Sequence, residues 1–305
     1  MNQTLEVCVC TYRRPQLAKT LTSLLELVTP EGYDLSILVI DNDDKPSAEP
    51  IVAEIAADAG KPLRYVHCPQ GNISVARNGA LTHSKARYLA FIDDDEVAPP
   101  DWLVHLTKDM GKDGADVVLG PVEADYTDGA PAWMQRSRIH ATMPVWVDDK
   151  IITGYTCNVL FDRHSPALRD CLFDLSLGQS GGEDTAFFAK VVANGGKIAF
   201  SPDAVLHEAI PADRVSFKWL LRRRFRMGQT HGRLVAENGA SPRLWVITAG
   251  KVVYCAGMAV LQVLSPARRN KAILRGALHV GALSGLAGGR ELQQYGPEFT
   301  RRQSE

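Results

Sequence analysis

A chain of 305 residues with 45% hydrophobic and 23% charged residues can bury a full core in one large or two modest domains, which excludes a disordered or fibrous polymer. The net charge of −1 hides a division: residues 214–305 carry 16 Lys and Arg against 4 Asp and Glu, leaving 18 against 31 in residues 1–213. An acidic part suited to metal and nucleotide work thus precedes a basic part suited to an anionic membrane surface or a polyanion. The six cysteines form no CxxC pair and several sit in apolar runs, so they read as reduced core thiols of a cytosolic protein. The N-terminus passes from Met1 directly into a strand, and no signal peptide is expected.

Leu5 to Thr11 is a short apolar strand, and Pro15 is placed to open a helix ending near Val28. Leu35 to Asp41 repeats the pattern and also ends in acids. A helix at about Ala48 to Ala59, a strand at Leu63 to Cys68 and a helix at about Ser74 to Ser84 follow. Tyr88 to Ile92 is then a buried strand that stops in Asp93, Asp94, Asp95 and Glu96. Strands alternating with helices at this rhythm predict an α/β fold, a doubly wound, mostly parallel sheet with helices on both faces. Ligands bind such sheets at the carboxyl ends of strands, and carboxylates clustered there repel unless a cation offsets them. Oxygen-only ligation suits Mg²⁺ or Mn²⁺; the plainer reading is a solvated acidic loop.

Beyond the acids, Pro99, Pro100 and Asp101 precede a helix to about Met110, and Asp116 to Val122 is expected to be one strand. Residues 123–156 are irregular and carry Trp133 and Trp146, as in a substrate-facing lid or a plain surface excursion. Cys157 to Asp162 is a strand. Three glycines, Gly178, Gly181 and Gly182, lead into Glu183 and Asp184 at the start of a helix. Acids there can simply complement the helix dipole, but the glycines allow close backbone approach to a ligand. His207 closes a short apolar run.

In this order, Cys10–Pro15, Val39–Asn42, Ser74–Ala80, Phe91–Asp95 and Gly182–Asp184 resemble the motifs of the inverting glycosyltransferases of family 2, which have the GT-A fold. The likeness spans roughly the first 210 residues, and the end of the chain resembles that of bacterial enzymes building exopolysaccharide repeats, of the succinoglycan type. It implies a catalytic, nucleotide-sugar-binding domain at 1–212 and a basic, apolar helical region at 213–305. By the resemblance, Thr11 and Arg13 line the nucleotide pocket and Asp41 bonds the uracil or ribose. Arg77 reaches the diphosphate or the carboxylate cluster, Asp93 and Asp95 hold the metal, and Asp94 contacts ribose or donor sugar. Asp184 matches the catalytic base, with Glu183 holding the acceptor or tuning that base. His207 fits a third metal or phosphate contact, or else a satisfied structural residue.

From Val215 the pattern is helical, with Phe217, Leu220, Leu221 and Phe225 on one face and Arg222, Arg223 and Arg226 mostly off it. Met227 stands where processive relatives have Trp, so the resemblance implies transfer of a single hexose. Leu244 to Leu264 could span a bilayer, yet Thr248, Lys251, Cys255 and Gln262 draw one polar stripe along it. A basic cluster, Arg268 to Lys271, precedes an apolar segment from Ala272 to Leu286 that Gly276, Gly281 and Gly285 should loosen. In-plane helices on the cytoplasmic leaflet of a bacterial inner membrane are expected in preference to a span, and the end, 290–305, is expected to be loosely ordered. The partners implied are a nucleotide diphosphate sugar, a lipid-linked saccharide and a membrane surface, and no nucleic acid. Two alternatives are a sugar-phosphate nucleotidyltransferase, which wants a glycine-rich loop after the first strand although no glycine precedes Gly32, and a non-catalytic nucleotide-sugar-binding protein at the membrane.

Overall fold

The computed structural model describes residues 2–289 apart from 58, 238 and 240; the end at 290–305 lies outside the described residues. The first half of the chain runs β1 (Gln3–Thr11), α1 (Leu17–Leu25), β2 (Tyr33–Asp41), α2 (Glu49–Ala57), β3 (Leu63–His67), α3 (Ile73–His83), β4 (Tyr88–Asp93), β5 (Glu96–Val97) and α4 (Trp102–Met110). Then come β6 (Val117–Leu119), β7 (Val122–Tyr126), α5 (Ala132–Ser137), β8 (Trp146–Val147), β9 (Lys150–Ile151), β10 (Asn158–Asp162), α6 (Glu183–Ala193), β11 (Ile198–Phe200) and β12 (Leu206–Ile210). Three long helices follow: α7 (Phe217–Glu237), α8 (Pro242–Leu261) and α9 (Pro266–Leu286).

The main sheet has the order β11-β6-β10-β4-β1-β2-β3. All its pairings are parallel except those of β10, which runs antiparallel to both β4 and β6. Both faces are covered, which is why β1, β2 and β4 are nearly continuous apolar runs and not alternating ones. On one face Val7, Val9, Val39 and Ile92 pack under α1 and α4; on the other Leu38, Ile40 and Phe91 pack under α3 and α6. Strand order reverses between β1 and β4, so a crevice opens at their carboxyl ends, Thr11 and Asp93.

The single strand expected over 116–122 is two strands in two sheets. Leu119 ends β6 in the main sheet, and Val122 begins β7 in a three-stranded sheet of order β5-β12-β7. Gly120 and Pro121 make the break. A Cβ at Gly120 would lie 2.3 Å from the Ala204 carbonyl oxygen, and Pro121 has no N–H to give a ladder. Strand β11, which the sequence reading did not single out, closes the opposite edge. The second sheet sits directly after the acids, since β5 begins at Glu96.

Helices α7 and α9 lie against each other at unusually short range. A Cβ on Gly228 or Gly232 of α7 would come within 2.0–2.1 Å of the Leu278 or Ala282 carbonyl oxygen of α9. One on Gly281 or Gly285 would come within 1.9–2.1 Å of Phe225 or Gln229 on α7. Two small-residue faces four residues apart therefore let the backbones touch. Gly281 and Gly285, expected to loosen α9, instead fix its position. Met134, Leu220 and Leu274 form a small core joining α5, α7 and α9.

Candidate active site

Three segments converge at the β1/β4 crevice. From β1, the Thr11 hydroxyl donates to Asp94 Oδ2 at 2.7 Å. Arg13 adopts a left-handed backbone (φ 54°) and turns away from the acids of β4, its Nε donating to Asp43 Oδ1 at 2.7 Å. Its neighbour Arg14 turns toward them, 3.7 Å from both Asp94 and Asp95 carboxylates. Arg13 is the residue expected in the nucleotide pocket; Arg14, for which no role was expected, is the one beside the acids of β4, and only the backbone turn separates the two. A cavity of about 180 Å³ opens between this loop and the start of α2, lined by Arg13, Arg14, Pro15, Ser47, Ala48 and Ile51. A larger polar groove of about 480 Å³ runs along β7 beside Arg138 and Gln135; none of the acidic-site residues lines it, and we place the chemistry at the crevice.

Asp41 ends β2 with its side chain completely buried. One oxygen accepts from the Asp43 N–H, the other from the Ala48 N–H and the Tyr65 hydroxyl. It thereby shapes the wall of the β2 loop from behind.

Asp93, Asp94 and Asp95 make the tight turn from β4 to β5. Glu96, read in the sequence as the last of the four acids but given no role there, accepts the Asp93 N–H at 3.0 Å and pins that turn. Burial, with Asp95 close by, pushes Asp93 up to about 6 and Asp94 up to about 7, although Arg77 and Arg14 pull the first down and Arg14 and Thr11 the second. Burial and Asp93 hold the Glu96 carboxyl well above its usual range. Ligand atoms of Asp93, Glu96 and Cys157 also lie within 4.8 Å of one another. Burial lifts the Cys157 thiol well above its ordinary pKa and Glu96 is engaged by backbone, so the donors open to a hard cation are the carboxylates of Asp93 and Asp95.

The third segment is the glycine loop before α6. Asn72 caps α3 by accepting the Ser74 N–H, and Gly178 lies so close that a Cβ there would overlap Asn72 Oδ1. At its other end the loop rests on α7. Arg226 Nη1 donates to the Ser180 carbonyl at 2.9 Å and Arg233 Nη2 to the Ser180 hydroxyl at 3.2 Å. Gly182 has φ +99°, and a Cβ there would lie 2.2 Å from Thr230 Cγ2. Only glycine fits both the backbone and the space.

The loop delivers Glu183 and Asp184 to the N-terminal turn of α6, where the helix dipole favours negative charge. Both are joined to Arg77 Nη1; Arg77 is itself buried, over the Phe173 ring. Arg77 thus reaches the carboxylates of Glu183 and Asp184. Asp184 Oδ2 accepts the Thr156 N–H at 3.3 Å, and the Thr156 hydroxyl lies 3.2 Å from both oxygens. Burial raises the Asp184 carboxyl above its usual range, Arg77 opposes this, and Glu183 and Asp93 add to it. Glu183 Oε2 is buried without a hydrogen-bond partner. Thr156 was invisible beforehand, being one polar residue in an irregular stretch.

His207 is apart from these contacts. It sits on β12 paired with Val97, two residues beyond Asp95, and is 42% exposed in its side chain; its Nδ1 lies 3.1 Å from Asp125 Oδ1.

The chain can be set beside known proteins at this point. The model of glycosyl transferase family 2 matches residues 6–166, from β1 into the segment after β10. Over 300 residues the chain is 49% identical to the succinoglycan biosynthesis protein ExoM of Rhizobium meliloti, covering 97% of each. It is 24% identical over 199 residues to ExoO, another succinoglycan biosynthesis protein of that organism, covering 61% of this chain and 56% of ExoO. Among solved structures, the Pyrobaculum calidifontis mannosyltransferase PcManGT, in complex with GDP-Man and Mn²⁺, superposes with a TM-score of 0.63 at 18% identity, over 95% of this chain and 89% of that one. Residues 1–349 of S. aureus TarS, in complex with UDP-GlcNAc, give 0.53 at 15% identity, over 97% and 99%. A switch-point crevice carrying an Asp-Asp-Asp turn, a buried Arg between two acidic clusters, and a family match over more than half its length make this chain a member of glycosyl transferase family 2, a glycosyltransferase with the GT-A fold.

Proposed function

We propose that this enzyme is a metal-dependent, inverting hexosyltransferase that moves one hexose from a nucleotide diphosphate sugar, UDP-linked, to a hydroxyl of a lipid-linked saccharide. The process is assembly of a succinoglycan-type exopolysaccharide at the cytoplasmic face of a bacterial inner membrane. The observation that supports the reading is that buried Arg77 pairs with Asp184 and Glu183 while Asp93 is close enough to interact electrostatically with both Arg77 and Asp184. Similarity to ExoM along the whole chain supports the process, and the nucleotide sugars named for PcManGT and TarS support the donor class.

The acidic turn suits a divalent cation by its donor set. Several carboxylates crowd a buried turn, with Arg14 and Arg77 as the cations that offset them, and the accessible ligand atoms are oxygens, as Mg²⁺ and Mn²⁺ require. Asp93 and Asp95 would hold it, and its chemistry there would be stabilisation of negative charge on the departing diphosphate. His207, exposed and next to β5, stands as a phosphate or metal contact reached from the second sheet. Thr11 fixes Asp94 against ribose or donor sugar, and the Arg13–Arg14 loop with Asp41 behind it frames the nucleotide cavity.

Asp184 takes the proton from the acceptor hydroxyl while that oxygen bonds to the anomeric carbon, from the face opposite the leaving group. The bond from the anomeric carbon to diphosphate oxygen breaks, and nucleoside diphosphate departs with the electron pair. Burial raises the proton affinity of Asp184, which favours it as a base. Arg77 and Thr156 keep its carboxylate aimed, and Glu183 shares Arg77, so that the cation only partly offsets Asp184 and the carboxyl keeps its raised proton affinity.

The test is release of nucleoside diphosphate from a panel of nucleotide sugars, with Mg²⁺, with Mn²⁺ and with chelator, for wild type, Asp95→Ala and Asp184→Asn, in the presence of membrane lipid extract. Turnover of one donor that needs metal and is lost in both variants is expected. Turnover unaffected by chelator, or retained in Asp184→Asn, would overturn the mechanism.

A further inference from the structure

Helix α8 is turned inside out. Its buried residues are Thr248 and Cys255, whereas Val253, Val260 and Leu264 just beyond its end are 72%, 73% and 96% exposed. In a soluble bundle the polar stripe would face water and the valines would face α9. Of the four residues of the anticipated stripe, Thr248 and Cys255 face protein, Gln262 is half-buried and Lys251 is exposed, while Val246, Val253, Val260 and Leu261 face outward. Such a surface needs an apolar occupant.

We infer that the outward face of α8 is a membrane-contact surface that lies in the plane of an anionic lipid bilayer. The proposal deepens the membrane location stated above and does not depend on the identity of donor or acceptor. Two observations select the occupant and the orientation.

The first is charge. Between Pro242 and Gly289 there are six Lys and Arg and no Asp or Glu. Arg243, Lys251, Arg268, Lys271 and Arg275 are all exposed. Acidic lipid headgroups complement that surface, whereas a second copy docked face to face would set like charges against like. The second is the packing of α8 on its neighbours. It is the one helix among the described residues long and apolar enough to cross a bilayer, but it packs along α9, which is locked to α7 through the glycine contacts. A crossing α8 would draw the exposed Arg268, Lys271 and Arg275 of α9 into hydrocarbon. Lying flat, α8 sinks its valines at the headgroup boundary while those cations stay at headgroup level. Helix α7 then links the membrane helix pair to the Ser180–Gly182 loop.

The test uses the full chain and vesicles of phosphatidylcholine, with and without phosphatidylglycerol. Flotation with the mixed vesicles is expected for wild type, and Val253→Asp/Val260→Asp should lower the partition at least about tenfold while thermal unfolding stays unchanged. Arg268→Glu/Lys271→Glu should weaken binding to the mixed vesicles and remove its salt dependence. Brominated acyl chains should quench Trp245, on the outward side of α8, a signal absent in Trp245→Phe. Flotation untouched by the two aspartates would overturn the proposal, as would a solution dimer that they dissolve. Retention in cell membranes after alkaline carbonate would overturn the in-plane orientation. Donor turnover with a water-soluble acceptor reads the catalytic proposal separately.

Discussion

The two regions of this chain treat polarity in opposite ways. The α/β region buries charge: Arg77, Asp94, Glu96 and Glu183 are all nearly inaccessible, each answered by a neighbour of opposite sign, a hydroxyl or backbone. The helical region exposes apolar surface and buries a Thr and a Cys in its outermost helix. Buried charge is costly unless paired, and a site that moves a proton and stabilises a leaving diphosphate has use for strong, water-poor electrostatics. Exposed valine is costly in water and favourable at a bilayer. Each region thus does what the other would be destabilised by, and the Ser180–Gly182 loop on α7 is one place where they meet.

Removing the proposed base should break the catalytic side of this comparison alone. Asp184→Asn keeps the shape and the Thr156 contacts, so donor affinity by calorimetry should hold while turnover falls 10²–10⁴-fold, the usual share of a positioned base. Breaking the helical side calls for a change where backbones touch. Gly281→Leu would drive a side chain into the Phe225 carbonyl, and we expect about 3 kcal/mol lost from the α7–α9 contact, the upper range for overpacking. Urea unfolding followed by circular dichroism should report it, with donor binding at the crevice much less affected than helix content.

The junction can be tested by a pair of substitutions. Gly182→Ala places a methyl against Thr230 Cγ2 and forces a left-handed backbone on alanine. Turnover should fall about 10- to 100-fold as Asp184 shifts, since small misplacements of catalytic groups are costly. Thr230→Ser removes that Cγ2 methyl, so the double variant should recover part of the loss, leaving the strain of the backbone. Equal activity of single and double variants would mean that α7 does not hold the loop.

Much of the catalytic region was legible because its signals are local. An apolar run ending in Asp93–Glu96, or glycines ahead of Glu183 and Asp184, marks a strand end or a helix start wherever it occurs. What needed three dimensions was partnership. Arg13 and Arg14 are chemically alike, and only the turn at φ 54° decides which faces the acids. Thr156 serves Asp184 across 28 residues of chain. Gly281 reads as a flaw in a helix until Phe225 of another helix lies against it. The Gly120–Pro121 break was written in the sequence and was passed over because the apolar residues continue on both sides. In the tail, the stripe of Thr248, Lys251, Cys255 and Gln262 was visible, but that Thr248 and Cys255 of it face protein while Lys251 is exposed depended on α9.

The smallest expected effect concerns the second contact between the regions. His140 is buried between Tyr126 and Trp219, its Nε2–H donating to the Arg214 carbonyl and its Nδ1 accepting the Tyr126 hydroxyl. Burial lowers its pKa from 6.5 to about 4, and the nearby Arg223, Arg214 and Arg224 push it the same way, against the Arg214 carbonyl. The folded form therefore holds His140 neutral at pH values where the unfolded chain binds a proton. Its stabilising share is complete above about pH 6.5, declines as pH falls, and levels off near pH 4, a loss on the order of 2 kcal/mol after allowance for solvent screening. Asp93 and Asp94, whose folded values are raised, act with the opposite sign over about pH 4 to 7, so wild type alone would show only the balance. His140→Gln supplies an amide N–H in place of the imidazole N–H and removes the titration. The difference between wild-type and His140→Gln urea midpoints, followed from pH 7.5 to 4.5, should shrink or reverse toward acid, and a difference that stays constant would show that the His140 junction does not sense pH.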